Sequence, residues 1–151
     1  MNNSAFSNFD ANAKNSFYIL VNLNAELHGG RKEMTLSAER ENVAVEHIMP
    51  KVIKNTEWET TLKAKINSDN NAELVDYHNN HLWKLGNLTL LSKTKNARVH
   101  NIPYSEKREK VYLRDDAKIT QNLHQWTEWD GETILNRQKI LADSALQIWS
   151  L

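Results

Sequence analysis

The sequence predicts an α+β domain in which a small β, β, α element is embedded in a mainly helical chain, and three observations carry that reading. Two short stretches, 42–50 and 85–91, have strand-like apolar patterning and are bounded by a proline or a glycine. Most other apolar residues recur at helical spacing. The chain has 151 residues, with 40% hydrophobic and 25% charged residues, which suits one domain with a real core and excludes wholesale disorder.

The first fifteen residues are rich in Asn and Ser and lack apolar periodicity, so 1–15 reads as a flexible arm or linker, of the kind found in a piece of a longer protein. Residues 16–28 carry Phe17, Leu20, Val21, Leu23 and Leu27 on one helical face, and His28-Gly29-Gly30 supplies a helix stop. The run Phe17 to Val21 also fits a short buried strand. Val43 and Val45 alternate up to Pro50, giving a strand that ends in a turn. Helical spacing returns at 55–66 (Trp58, Leu62, Ile66) and at 70–83 (Leu74, Tyr77, Leu82), predicting an inserted helical pair. Leu85 to Leu91 reads as a turn and second strand, after which Ser92 or Thr94 caps a helix bearing Asn96 and Arg98. Flanking helices are expected over 104–150, in three stretches: Tyr104 to Arg114, a pattern on Ile119, Leu123 and Trp126, and a long amphipathic helix from Glu132 to Trp149.

The formal net charge is zero, but it is segregated: residues 1–83 sum to −3, 84–114 to +6 and 115–151 to −3. Lys84, Lys93, Lys95, Arg98, Lys107, Arg108, Lys110 and Arg114 make a basic stretch suited to phosphate, with a solvated helix face as the plain alternative. No apolar run reaches the roughly 18 residues of a bilayer span, and the start lacks a signal peptide's basic and apolar regions, so a soluble cytoplasmic chain without membrane partners is expected. With no cysteine, a metal would be held by oxygen or imidazole ligands.

The chemistry concentrates in Val45-Glu46-His47-Ile48-Met49-Pro50, in Leu85-Gly86-Asn87-Leu88-Thr89-Leu90-Leu91, and in Asn96 followed by Asn101, Pro103-Tyr104 and Lys107. This series resembles the HNH (ββα-metal, His-Me finger) nuclease domain. More narrowly it resembles the C-terminal domain of GmrSD-type, modification-dependent (type IV) restriction endonucleases. The likeness runs from about Tyr18 to Trp149 and is strongest from Leu85 to Lys107; the insertion from Lys51 to Lys84 is weakly patterned. It implies a ββα-metal core over about 42–102 within an HNH endonuclease domain at 16–151.

Phosphodiester hydrolysis needs a base for water, a cation against the charge on the phosphorane and help for the departing 3′ oxygen. The resemblance implies His47 as general base, its imidazole mostly neutral near an ordinary pKa of about 6.5. Glu46 and Asn96 are implied as ligands of one Mg²⁺ or Mn²⁺ that keeps several waters. Neighbouring strand residues point to opposite faces, so Glu46 and His47 share a site only if the strand end twists. Asn87 is expected to hydrogen-bond across the loop after the first strand and hold His47, with a plain left-handed turn residue as its competitor. Lys84, Lys95, Arg98 and Lys107 are expected to contact phosphates.

His100 and Asn101 are additional site candidates; His100 shares a helical face with Asn96, while Asn101 also fits a helix terminator before Pro103. His78 and His81 read as solvent-exposed helix histidines, and the tryptophans as core residues, with Trp83 near the site. The expected activity is a metal-dependent DNA endonuclease in prokaryotic restriction and antiviral defence, beside a separate N-terminal target-sensing, nucleotide-hydrolysing domain of the same protein. The rivals are a non-enzymatic DNA-binding or interaction domain of the same fold, and a nuclease preferring RNA or single strands.

Overall fold

A computed structural model describes residues 13–27 and 42–149. The His28-Gly29-Gly30 stop and nearly all of the predicted arm lie outside the described residues. The described chain is mostly helical around one two-stranded antiparallel sheet, an α+β architecture.

Helix α1 (Ala13–Leu27) resolves the helix-or-strand ambiguity at Phe17 to Val21 in favour of helix. It buries Phe17, Leu20, Val21 and Leu23 against the sheet and the last helix. Strands β1 (Val43–His47) and β2 (Leu88–Ser92) pair in a register that sets Val43 opposite Ser92 and His47 opposite Leu88. Both faces of β2 are covered. Leu88 and Leu90 join the α1 side of the core, while Leu91 packs with Ile48, Met49 and Tyr112 on the other. That two-sided burial explains why β2 carries Leu90 and Leu91 in succession rather than a strict apolar–polar alternation.

Between the strands stand α2 (Glu57–Ile66) and α3 (Asn71–Leu82). Thr56 caps the first through Trp58 N–H, and Asn70 caps the second through the amides of Ala72 and Glu73. Left-handed Asn67 closes α2, so the polar link between the two helices is built from caps. A 3₁₀ turn, Leu85–Asn87, leads into β2, and Ser92 caps α4 (Lys93–Val99), which packs on both strands.

Helix α5 (Tyr104–Glu106) continues as a π-helical stretch at Lys107–Val111 and a 3₁₀ turn at Tyr112–Arg114, where one regular charged helix is expected. Short α6 (Lys118–Gln121) is followed by 3₁₀ Asn122–Gln125 and long α7 (Gly131–Trp149). Helix α7 presses onto the 3₁₀ turn so closely that a Cβ at Gly86 would lie 2.1 Å from the Ile134 carbonyl oxygen. Only glycine fits there. Arg137, itself buried, donates from Nη1 to the carbonyls of Gly86 (2.9 Å) and Leu88 (2.6 Å). No helix among the described residues is long and apolar enough to cross a membrane.

Candidate active site

The site is assembled where β1 ends. Asn87 is completely buried and uses its whole amide. Its Oδ1 accepts from Met49 N–H (2.8 Å) and Trp129 Nε1–H (3.0 Å), and its Nδ2 donates to the carbonyls of Met49 (3.0 Å) and Leu82 (3.0 Å). Its backbone carbonyl accepts from Ile48 N–H at 2.9 Å. An apolar residue could not satisfy those buried backbone groups. Left-handed backbone is confined, among the described non-glycine residues, to Asn55, Asn67 and His100, so turn geometry is not the reason for Asn87.

The loop that Asn87 pins follows directly on His47. The His47 ring meets Trp83 edge-on, with centroids 4.5 Å apart, and its buried Nε2 has no hydrogen-bond partner. Burial, then the positive charges of Lys51 and Lys107 and the neighbouring His78, push its pKa down to about 4. The ring is therefore neutral near pH 7.

Glu46 lies across from Thr89 in the ladder and is buried. Lys107, with no exposed side-chain surface, sets its ammonium 3.1 Å from Glu46 Oε1 and donates also to the carbonyls of His47 (3.2 Å) and Ile48 (3.0 Å). This corrects its expected placement on a phosphate-contacting surface. Lys107 opens a π-helical stretch, and its side chain lies at the end of β1 rather than in solvent. Burial raises the Glu46 pKa against the lowering effect of Lys107 and, more weakly, of His100. Glu46 Oε2 is buried and unpartnered, as is the hydroxyl of Tyr112, another residue close enough to Glu46 to feel its charge.

Glu46 neighbours Lys107 and Tyr112, His47 neighbours Trp83 and Lys51, and the Lys107 ammonium bonds both the Glu46 carboxylate and the His47 carbonyl. Asn96 is half-buried on α4, the helix that packs on β1 and β2. His100 is exposed and takes the left-handed turn that ends α4, the position expected of Asn101, which is half-buried in the turn that follows. Lys95 is committed to the Arg114 carbonyl (2.7 Å) and Asp115 (3.3 Å), while Arg98 is exposed and Lys84 half-buried. The basic stretch is therefore not one continuous surface.

His78 corrects the expectation of an exposed helix histidine: it is buried, with Nε2 2.7 Å from the Pro50 carbonyl oxygen. His81 is half-buried and contacts the Tyr77 carbonyl. Trp58 and Trp129 are core residues, whereas Trp83 sits on His47 with Lys51 Nζ 5.1 Å from its ring centre. Sequence reasoning missed Lys51 and Arg137; Lys51 follows the Glu-His-Ile-Met-Pro motif directly, the one signal that could have marked it.

The whole arrangement falls within residues 2–144, which match the family described as GmrSD restriction endonucleases, C-terminal domain. The chain belongs to that family. No curated protein and no solved structure matches this sequence.

Proposed function

We propose that this domain is the DNA-cleaving part of a modification-dependent restriction endonuclease, a hydrolase of the HNH type in which β1, β2 and α4 form the ββα-metal element. The observation that carries the reading is the buried, unpartnered Nε2 of His47 on a loop clasped by Asn87. A site optimised only for stability would have paired that nitrogen or replaced the residue. In the proposed reaction His47 takes the proton of the attacking water, and Asn87 keeps the strand end from shifting as the ring becomes charged.

In this reading Glu46 and Asn96 would hold one divalent cation. Among the described residues no cluster of three or more His, Cys, Asp or Glu side chains could hold a metal. Glu46 nonetheless presents one buried acceptor, Oε2, that Lys107 leaves free, and Asn96 offers a neutral carbonyl oxygen on the adjoining helix. Two protein oxygens with water completing the shell suit Mg²⁺ or Mn²⁺. Such a cation supplies positive charge against the charge that builds on the phosphate. As a C-terminal domain, the chain would act beside a separate N-terminal domain of the same protein that senses the target and hydrolyses nucleotide, in cytoplasmic defence against foreign DNA.

The test is cleavage of supercoiled plasmid by the purified chain with Mg²⁺ or Mn²⁺. Nicking or cutting that stops with chelator, and that His47→Ala removes while far-UV circular dichroism is unchanged, is expected. Cleavage by His47→Ala at the wild-type rate would refute the base role; no cleavage by the wild type, at any metal concentration, would favour a binding domain of the same fold.

A further inference from the structure

The helical insertion contributes a feature that the chemistry of His47 and Glu46 does not use. Beside the segment after Pro50 lies a groove of about 380 Å³, walled by Val52, Ile53, Leu74 and Val75 and flanked by Lys51 and Lys54. Val52 and Val75 are 57% and 53% exposed, so the fold itself does not need their apolar surface. Both lysines are exposed, and among the described residues neither forms an ion pair. Glu59, the one acid at the groove, is already bound to Asn55 N–H (2.7 Å) and Lys63 (3.1 Å), which leaves the rim positive.

The groove adjoins the candidate base. Lys51 stands over Trp83, Trp83 meets the His47 ring, and His78, which also lines the groove, holds the Pro50 carbonyl. A rim of two exposed ammonium groups, neither in an ion pair among the described residues, on an apolar wall matches a ligand with an anionic end and a flat, weakly polar body. From this geometry we infer that the groove is a nucleotide subsite: Lys51 and Lys54 hold backbone phosphates of the substrate strand beside the scissile bond, and the apolar wall takes the adjoining base. The inference rests on the nuclease reading for its substrate, and it adds phosphate contacts on the segment that follows His47.

Binding of a fluorescein-labelled 12-nucleotide DNA, single-stranded and as a duplex, to the full chain is measured by anisotropy in EDTA over a salt series. Lys51→Ala/Lys54→Ala is expected to weaken binding at least tenfold at low salt. It should also flatten the plot of log affinity against log salt by roughly 1.4 to 1.8, the loss of two phosphate contacts. Lys118→Ala/Lys139→Ala, which removes the same charge from exposed sites on α6 and α7, is expected to leave that slope nearly unchanged. Val75→Glu, at an exposed position, is expected to weaken binding with circular dichroism unchanged. Equal slopes for the two double variants overturn the phosphate assignment, and wild-type affinity in Val75→Glu overturns the base assignment, leaving the groove to a polypeptide. If the wild type cuts plasmid while the Lys51/Lys54 variant binds normally, the subsite fails and the nuclease reading stands. If binding depends on the two lysines but the wild type never cuts, the subsite stands and the nuclease reading fails.

Discussion

Replacing Lys107 by Met removes the ammonium from a fully buried position and strands the Glu46 carboxylate, whose Oε2 already lacks a partner. The carbonyls of His47 and Ile48 lose a donor in the same step. Breaking a buried pair from one side costs about 3–5 kcal/mol, because an uncompensated charge is left behind. For a domain of this size 1 kcal/mol corresponds to roughly 2–4 °C in Tm, so Lys107→Met should melt about 10 °C lower. Adding Glu46→Gln removes the stranded charge but not the two carbonyls left without a donor, so the double variant should regain about 2 kcal/mol over Lys107→Met alone. Urea unfolding followed by tryptophan fluorescence reads both, since the Trp58 ring centre lies 5.8 Å from the Lys107 ammonium. A single variant that costs under about 1 kcal/mol, or a double variant no more stable than the sum of the two single losses, would refute the view that this pair organises the end of β1.

Asn87→Ala leaves Met49 N–H and Trp129 Nε1–H buried without an acceptor, so a loss of about 3 kcal/mol is expected in chemical denaturation. Gly86→Ala forces a methyl group against the Ile134 carbonyl and should cost at least about 1–3 kcal/mol, measured the same way. Arg137→Met deprives the Gly86 and Leu88 carbonyls of their donor and should lower Tm, with slower cleavage following the disturbed turn before β2. Asp130 caps α7 through Thr133 N–H (3.0 Å); its pKa is lowered because burial, the largest single influence, is outweighed by bonds from Thr133 and Lys65. A lowered folded-state pKa means that the unfolded chain binds the proton more readily. The cap's contribution, about 1 kcal/mol, is therefore complete above the ordinary aspartate range and is lost as pH falls through the folded-state value. The stability gap between wild type and Asp130→Ala should close on acidification; a gap that widens at low pH would refute the cap.

Local pattern alone was enough to read the α+β class, the order of strands and helices, and the Glu46-His47 and Gly86-Asn87 motifs. Apolar periodicity, caps such as Thr56, Asn70 and Ser92, and the stop at Pro50 act within a few residues of themselves, so they are visible in one dimension. What a side chain touches across 60 positions is not. Lys107 looked like its exposed neighbours Glu106 and Lys110, yet folding buries it against Glu46, and His78 looked exposed until α3 laid it against Pro50. The tertiary structure alone decided which cations are buried, which are spent on acids and which stand free, because a charge is assigned by the partner that folding brings to it. It also made the weakly patterned insertion into the wall of a groove beside His47, since α3 and the segment after Pro50 form that wall only when packed together.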